Sequence, residues 1–135
     1  MTTAPTTLVT GVDFITVPTQ DLDAAREFYA TVLGLPCSAL YQRGDTPAIG
    51  AEFETGNLTL SILNAAAVGM TFAPLGSPIA LRVDDVEAAR AELESRGVTF
   101  ADQIDSGVCH MAFFKDPDGN VLMLHHRYAP RTPLA

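Results

Sequence analysis

One short pattern occurs twice in this chain, and the repeat constrains the fold more than any other feature. Asp21–Arg26 reads Asp-Leu-Asp-Ala-Ala-Arg, and Asp85–Arg90 reads Asp-Val-Glu-Ala-Ala-Arg, 64 residues further on. A second pair, Gly56-Asn57 and Gly119-Asn120, recurs after 63 residues. A repeat of this length indicates that one supersecondary unit occurs twice. Each feature of one half can therefore be compared with its counterpart in the other half.

Each copy of the pattern follows a strand-like run and begins a helix-like run. In the first copy, Val9–Val17 is apolar and β-branched, Asp21 suits a helix N-cap, and Gly34 suits the helix end. In the second copy, the corresponding strand-like run is Ile79–Val83, and Gly97 suits the helix end. The remaining predicted strands are residues 37–42, 49–54, 58–63, 98–101, 108–114 and 121–126. The sequence therefore predicts the order β-α-β-β-β twice.

The predicted fold class is α+β, with two βαβββ modules in tandem. We expect a single domain over residues 1–135, because 135 residues suit one compact unit. The modules are placed at residues 9–64 and 77–127. Residues 65–76 are rich in Ala, Gly and Pro and are predicted to form the linker between them.

Composition excludes several classes of protein. A hydrophobic content of 47% is enough for a packed core, and a net charge of −8 disfavours nucleic acid as a partner. No apolar run is long enough to span a bilayer, and the N-terminus lacks a secretory pattern, so we expect a cytoplasmic protein with no membrane partner. Two cysteines, Cys37 and Cys109, are too few for a disulfide framework, and both are expected to be reduced and buried.

Several motifs follow one another in a specific order. They are the first strand, Asp21–Arg26, Phe28-Tyr29, Leu33-Gly34-Leu35 and Asp116–Asn120, which reads Asp-Pro-Asp-Gly-Asn. In this combination, over residues 9–127, the chain resembles the vicinal oxygen chelate superfamily. That superfamily includes glyoxalase I, extradiol dioxygenases, fosfomycin-modifying transferases and bleomycin resistance proteins. The resemblance implies a U-shaped, concave mixed sheet built from both modules, with the helices on its convex side, and a homodimer.

The resemblance also implies where a metal would bind. Metal-dependent members have four ligands, one on the first strand and one on the last strand of each module. Here the corresponding positions are Phe14, Leu60 or Ser61, Pro78 and Met123. None of these side chains supplies the imidazole or carboxylate that divalent metals require. The sequence therefore predicts no metal, no cofactor and no catalytic residue, and it favours the branch of the superfamily that keeps the cavity without the metal.

The last two strands suggest further residues of the cavity. Strand alternation places His125 on the face of Met123. A four-residue turn at residues 116–119 would pair His110 with His125, so both histidines would face the cavity. They would then bind a ligand, hold a replacement metal, act as an acid–base pair, or be ordinary rim residues. The predicted ligand-binding residues are Phe14, Pro78, His110, Met123 and His125.

The favoured hypothesis is a metal-independent small-molecule binding protein that holds an apolar or aromatic ligand in the concave cleft. One alternative is a lyase, isomerase or dioxygenase of the same superfamily that uses non-standard residues or a metal. Glu52 and Glu54 share one strand face and could serve such chemistry, or they could form a solvated edge. A third alternative is a vestigial or regulatory domain with no tight ligand.

Overall fold

The computed structural model describes Ala4 and residues 6–134, in which eight strands and two α-helices are present. In chain order the elements are β1 (Phe14–Thr19), α1 (Leu22–Glu27), β2 (Cys37–Tyr41), β3 (Gly50–Glu54), β4 (Thr59–Asn64), β5 (Ile79–Arg82), α2 (Val86–Ser95), β6 (Phe100–Asp105), β7 (Cys109–Lys115) and β8 (Val121–Arg127). The predicted order β-α-β-β-β, twice, is confirmed. A single 3₁₀ turn, Ala66–Val68, lies between the two halves.

The strands form two four-stranded sheets with the same topology. Their orders are β1-β4-β3-β2 and β5-β8-β7-β6. In each sheet the first strand is parallel to the last, and the other neighbours are antiparallel. The two-module α+β fold predicted from the repeat is therefore confirmed. Among the described residues, no strand of one sheet pairs with a strand of the other.

The repeated Asp-x-x-Ala-Ala-Arg pattern marks two equivalent helix starts. The Asp21 carboxylate accepts a hydrogen bond from the backbone N–H of Ala24 at 3.1 Å, and Asp85 does the same for Ala88 at 3.0 Å. These contacts satisfy N–H groups that have no partner within the helix. The first helix was predicted to run to Leu33, but its α-helical part ends at Glu27 and continues as a π-helical segment, Phe28–Val32.

Both modules contribute to one hydrophobic core. The helix-facing side of the first sheet supplies Leu60 and Ile62, and that of the second supplies Phe114 and Leu122, all at most 2% exposed. Tyr29 lies among them, fully buried. Because the helix-facing sides share this core, the opposite side of each sheet is turned away from it. We call these two surfaces the first and second open faces.

A tight turn between β7 and β8 ties the modules together. The buried Asn120 side chain donates to the carbonyl oxygen of Pro18 at 2.9 Å. The hydroxyl of Thr19 donates to the Asp118 carboxylate at 2.6 Å, and the backbone N–H of Gln20 donates to the same carboxylate at 2.9 Å. The end of β1 in the first module is thereby held against the last hairpin of the second.

The prediction about the two cysteines is only half right. Cys109 is buried, but Cys37 is exposed because it begins β2, which is an edge strand; both thiols are free. The prediction that both cysteines are buried is therefore wrong for Cys37. In the described part of the chain, neither helix has the length and apolar character needed to cross a membrane.

Candidate functional site

Strand register defines the residues of the first open face. Thr16 pairs with Ser61, and Ser61 pairs with Glu52, so these three side chains lie on one side of the sheet. The adjacent rows follow the same alternation. The first open face comprises Phe14, Thr16, Pro18, Ala39, Tyr41, Gly50, Glu52, Glu54, Thr59, Ser61 and Leu63. Phe14 is 55% exposed, which is unusual for a phenylalanine at the end of a paired strand.

The second open face follows from the same reasoning. Ala80 pairs with Met123, which pairs with Phe113. In the next row Arg82 pairs with His125, which pairs with Met111. The second open face comprises Ala80, Arg82, Ile104, Cys109, Met111, Phe113, Lys115, Val121, Met123, His125 and Arg127. Pro78 directly precedes β5, two positions before Ala80, so strand alternation puts it on the same side.

The structure resolves the ambiguity between Leu60 and Ser61. Leu60 is completely buried and pairs with Ile15 on the core side, whereas Ser61 lies on the first open face. Ser61 therefore occupies the place that Met123 occupies in the second module. Alignment by the Gly-Asn pairs gave Leu60 because Leu58 lies between Gly56-Asn57 and β4, whereas Asn120 directly precedes β8.

The predicted pairing of His110 with His125 is wrong by one residue. His110 pairs with His126, and His125 pairs with Met111. The turn contains five residues, 116–120, rather than four, because the Asp116 carboxylate accepts hydrogen bonds from the backbone N–H groups of both Asp118 and Asn120 at 2.9 Å. A shift of one residue moves a side chain to the other face. His125 thus shares its face with Met123, and His110 lies on the opposite side.

His110 belongs to a separate cluster at the end of the second sheet. Its Nε2 lies 3.4 Å from the Asp105 carboxylate, and its ring packs against Tyr128 with 4.5 Å between ring centres. Tyr128 donates a hydrogen bond to Asp105 at 2.7 Å. This bond, helped by the Gly107 N–H and by His110, lowers the pKa of Asp105. His110 therefore has local partners that do not involve the open faces.

Hydroxyl groups hold the two glutamates of β3. The Tyr41 hydroxyl donates to the Glu52 carboxylate. Ser38 and Thr59 each donate to Glu54 at 2.6 Å, and these bonds lower the pKa of Glu54. The two carboxylates share the first open face, as the sequence indicated, and each is held by donors from its own sheet.

The four family positions do not fit a metal ion. Phe14 and Ser61 lie on the first open face, and Met123 lies on the second with Pro78 at its edge. Two hydrocarbon side chains, a hydroxyl and a thioether offer no imidazole or carboxylate. Across Ala4 and residues 6–134, no group of three or more His, Cys, Asp or Glu side chains is arranged to hold a metal ion.

Sequence reasoning missed the cations of the second open face, Arg82 among them. Arg82 lies on β5 beside His125, and none of the described residues forms a hydrogen bond or ion pair with its guanidinium. Its place could have been predicted, because Arg82 is two positions after Ala80 and four after Pro78, on a strand whose alternation was already assigned.

Comparisons with known proteins agree with this geometry. A profile of the Glyoxalase/Bleomycin resistance protein/Dioxygenase superfamily matches residues 11–124. No protein of curated function matches the sequence significantly. Among solved structures, the chain is similar to TnmS3, an antibiotic binding protein from Streptomyces sp. CB03234. The two are 27% identical with a TM-score of 0.74, over 90% of this chain and 99% of that protein.

Two other solved structures show the range of related proteins. A glyoxalase/bleomycin resistance protein, also from Streptomyces sp. CB03234, is 27% identical with a TM-score of 0.68. The match covers 86% of this chain and 100% of that one. Lactoylglutathione lyase from Agrobacterium tumefaciens is 18% identical with a TM-score of 0.72, over 88% of this chain and 95% of that one, which indicates a common fold. The match over residues 11–124 shows that this chain belongs to the Glyoxalase/Bleomycin resistance protein/Dioxygenase superfamily.

Proposed function

We propose that this chain is a metal-independent small-molecule binding protein, and that it holds an apolar or aromatic ligand against its open faces. The observation that carries the proposal is the set of side chains at the four family metal positions, Phe14, Ser61, Pro78 and Met123. Three of them are apolar and the fourth is a hydroxyl. A site of this kind matches the usual small-molecule pocket, which is mainly apolar with a few polar groups.

The surroundings of Met123 support an apolar or aromatic ligand. Phe113 is its neighbour on β7, and Met111 follows in the next row. Methionine side chains adapt to irregular ligands and make favourable contacts with aromatic rings. The similarity to TnmS3, an antibiotic binding protein, supports the same class of function at 27% identity.

We infer that a second copy of the chain completes the site. Each open face has only half of the four family positions, and in this chain the two sheets are not paired with each other. β1, which bears Phe14, and β5, which directly follows Pro78, are edge strands of the two sheets. Edge strands readily pair with another chain. Placing β1 of one copy beside β5 of another would bring the first open face of one copy next to the second open face of its partner.

A charge placed at Met123 tests the proposed site. The probe is N-phenyl-1-naphthylamine, a neutral aromatic molecule whose fluorescence rises in apolar surroundings. Met123→Glu should weaken probe binding by about tenfold or more at neutral pH, because it puts an unpaired carboxylate in an apolar site. Binding should partly recover on acidification, because burial favours the protonated carboxyl. Met70→Glu is the matched control, since Met70 is 51% exposed and lies outside both open faces.

The result that would contradict the proposed site is equal probe binding by Met123→Glu and the wild type. Metal independence has its own test. Protein purified without an affinity tag should contain well below one Zn, Ni, Mn or Fe ion per chain, and probe affinity should be unchanged after dialysis against EDTA. A tightly held, stoichiometric metal would argue for the enzyme alternative.

A further inference from the structure

The two open faces differ in charge. The second open face has three cations, Arg82, Lys115 and Arg127, together with His125, and none of the residues that the strand register pairs on this face is a carboxylate. The first open face has Glu52 and Glu54, and its residues include no cation. This separation is notable because the whole chain is acidic, with a net charge of −8. Positive groups on the second face are therefore not a consequence of composition.

Arg82 has the chemistry of an anion-binding group. A guanidinium is always charged in proteins and presents a planar set of donors that matches a carboxylate or sulfonate. The neighbouring imidazole of His125 can donate a further hydrogen bond. No described residue pairs with the Arg82 guanidinium. Its donors are therefore available for a ligand on the second open face.

The surroundings of Arg82 indicate the kind of anion. Met111 and Met123 flank His125 on the same face, so the positive groups adjoin apolar side chains. Covering this surface would remove water from Arg82, and a desolvated charge is costly unless it is paired. Glu52 and Glu54 are each held by hydroxyl donors of their own sheet. An anionic group on the ligand, placed on the same face as Arg82, would supply the counter-charge directly.

We propose that the ligand is an apolar, aromatic molecule with an anionic group such as a carboxylate or sulfonate, and that Arg82, with His125 beside it, binds this group. The proposal rests on the proposed function, since it concerns the same site. It adds the chemical class of the ligand, which the superfamily assignment leaves open. It also assigns a specificity role to Arg82, a residue outside the four family positions.

Two dyes that differ by one anionic group provide the test. 8-Anilinonaphthalene-1-sulfonate has the same ring system as N-phenyl-1-naphthylamine but bears a sulfonate. The wild type should bind the sulfonate about tenfold or more tightly than the neutral dye, the effect expected for hydrogen bonds to a charged group. Arg82→Gln should reduce sulfonate binding by about the same factor and change neutral-dye binding by less than about twofold. Arg131→Gln, in the exposed C-terminal segment, is the matched control for loss of one positive charge.

The possible outcomes separate the two proposals. If the neutral dye binds but Arg82→Gln leaves sulfonate binding unchanged, the anion site is overturned and the apolar site stands. If neither dye binds the wild type, the proposed function fails and the anion site fails with it. If Arg82→Gln shifts the protein from dimer to monomer in light scattering at equal concentration, the guanidinium pairs with the second copy, and the anion site is again overturned.

Discussion

Asp116, at the start of the turn between β7 and β8, is a buried carboxylate that is only 6% exposed. Tyr29, completely buried on the first module, donates its hydroxyl to Asp116 at 2.8 Å. Asn120 donates its side-chain N–H to the same carboxylate at 2.8 Å. Burial, together with the neighbouring Asp116 charge and the hydrogen bond, raises the pKa of Tyr29 far above its usual value. The neutral phenol is therefore strongly preferred in the folded state.

Tyr29→Phe should destabilise the protein in a pH-dependent way. At neutral pH it removes a donor from a buried carboxylate, at a cost of roughly 1–3 kcal/mol. Because the pKa of Tyr29 is raised on folding, its contribution is fully present below about pH 10 and declines above that, where the unfolded chain loses the phenol proton. The wild type should therefore lose stability above pH 10 more steeply than the variant.

Urea unfolding of Tyr29→Phe and the wild type at pH 8, 10 and 11 would measure this effect. Above pH 10, the Tyr29 phenol alone should make the free energy of unfolding of the wild type fall by about 1.4 kcal/mol per pH unit more than that of the variant. Parallel pH profiles for the two proteins would show that the phenol does not stay protonated in the folded state.

For individual residues, the sequence could identify which ones lie on a strand but not always which face of the sheet they occupy. Phe14 and Met123 were anchored by nearby motifs, the Asp21 cap and the Asp-Pro-Asp-Gly-Asn turn, and their place on the strands follows from those anchors. Leu60 and Ser61 remained ambiguous because one more residue, Leu58, separates the Gly-Asn pair from the strand in the first module. Arg82 was missed because its significance depends on the parallel pairing of β5 with β8, which sets His125 beside it.

Among the elements, the order of strands and helices could be predicted, but not every bound: β1 begins at Phe14 rather than at Val9, and β6 runs to Asp105 rather than to residue 101. Both helix starts are determined by local contacts, Asp21 with Ala24 and Asp85 with Ala88, which sequence patterns reflect directly. The β7–β8 register could not be predicted. It depends on a turn whose length is determined by the buried network around Asp116, and so on contacts with the other module. His110 was assigned to the wrong face for this reason.

The same turn gives a prediction for the contact between elements of different modules. Asp118→Ala removes two hydrogen-bond acceptor contacts, with the Thr19 hydroxyl and the Gln20 N–H, that join the end of β1 to the β7–β8 hairpin. We expect a loss of about 1–3 kcal/mol in the free energy of unfolding. Asp102→Ala, at an exposed position of β6, is the control and should cost less than about 0.5 kcal/mol. Equal stability of the two variants would show that the Asp118 contacts do not stabilise the junction between the modules.

In the whole molecule, the two modules share one core and turn their open faces away from it. The repeat predicted this duplication, because each module must bury one side of its sheet. It could not show that the chain leaves β1 and β5 as separate edges, since that depends on how the modules pack. The proposed site therefore joins Phe14 of one copy with Met123 of the other, whereas a cleft within one chain would join Phe14 and Met123 of the same copy.

Mixing two inactive variants distinguishes these arrangements. Phe14→Glu and Met123→Glu should each abolish most binding of N-phenyl-1-naphthylamine. In a mixed dimer, one cleft would contain both substitutions, and the other would contain native Phe14 and native Met123. Random pairing after co-expression at equal levels makes half of the dimers mixed, so about a quarter of the wild-type sites should return. A cleft within a single chain would restore none, because every chain would have one substitution. Titration of the probe against the co-expressed dimers, with each variant alone as the control, therefore decides whether the ligand site belongs to one chain or to two.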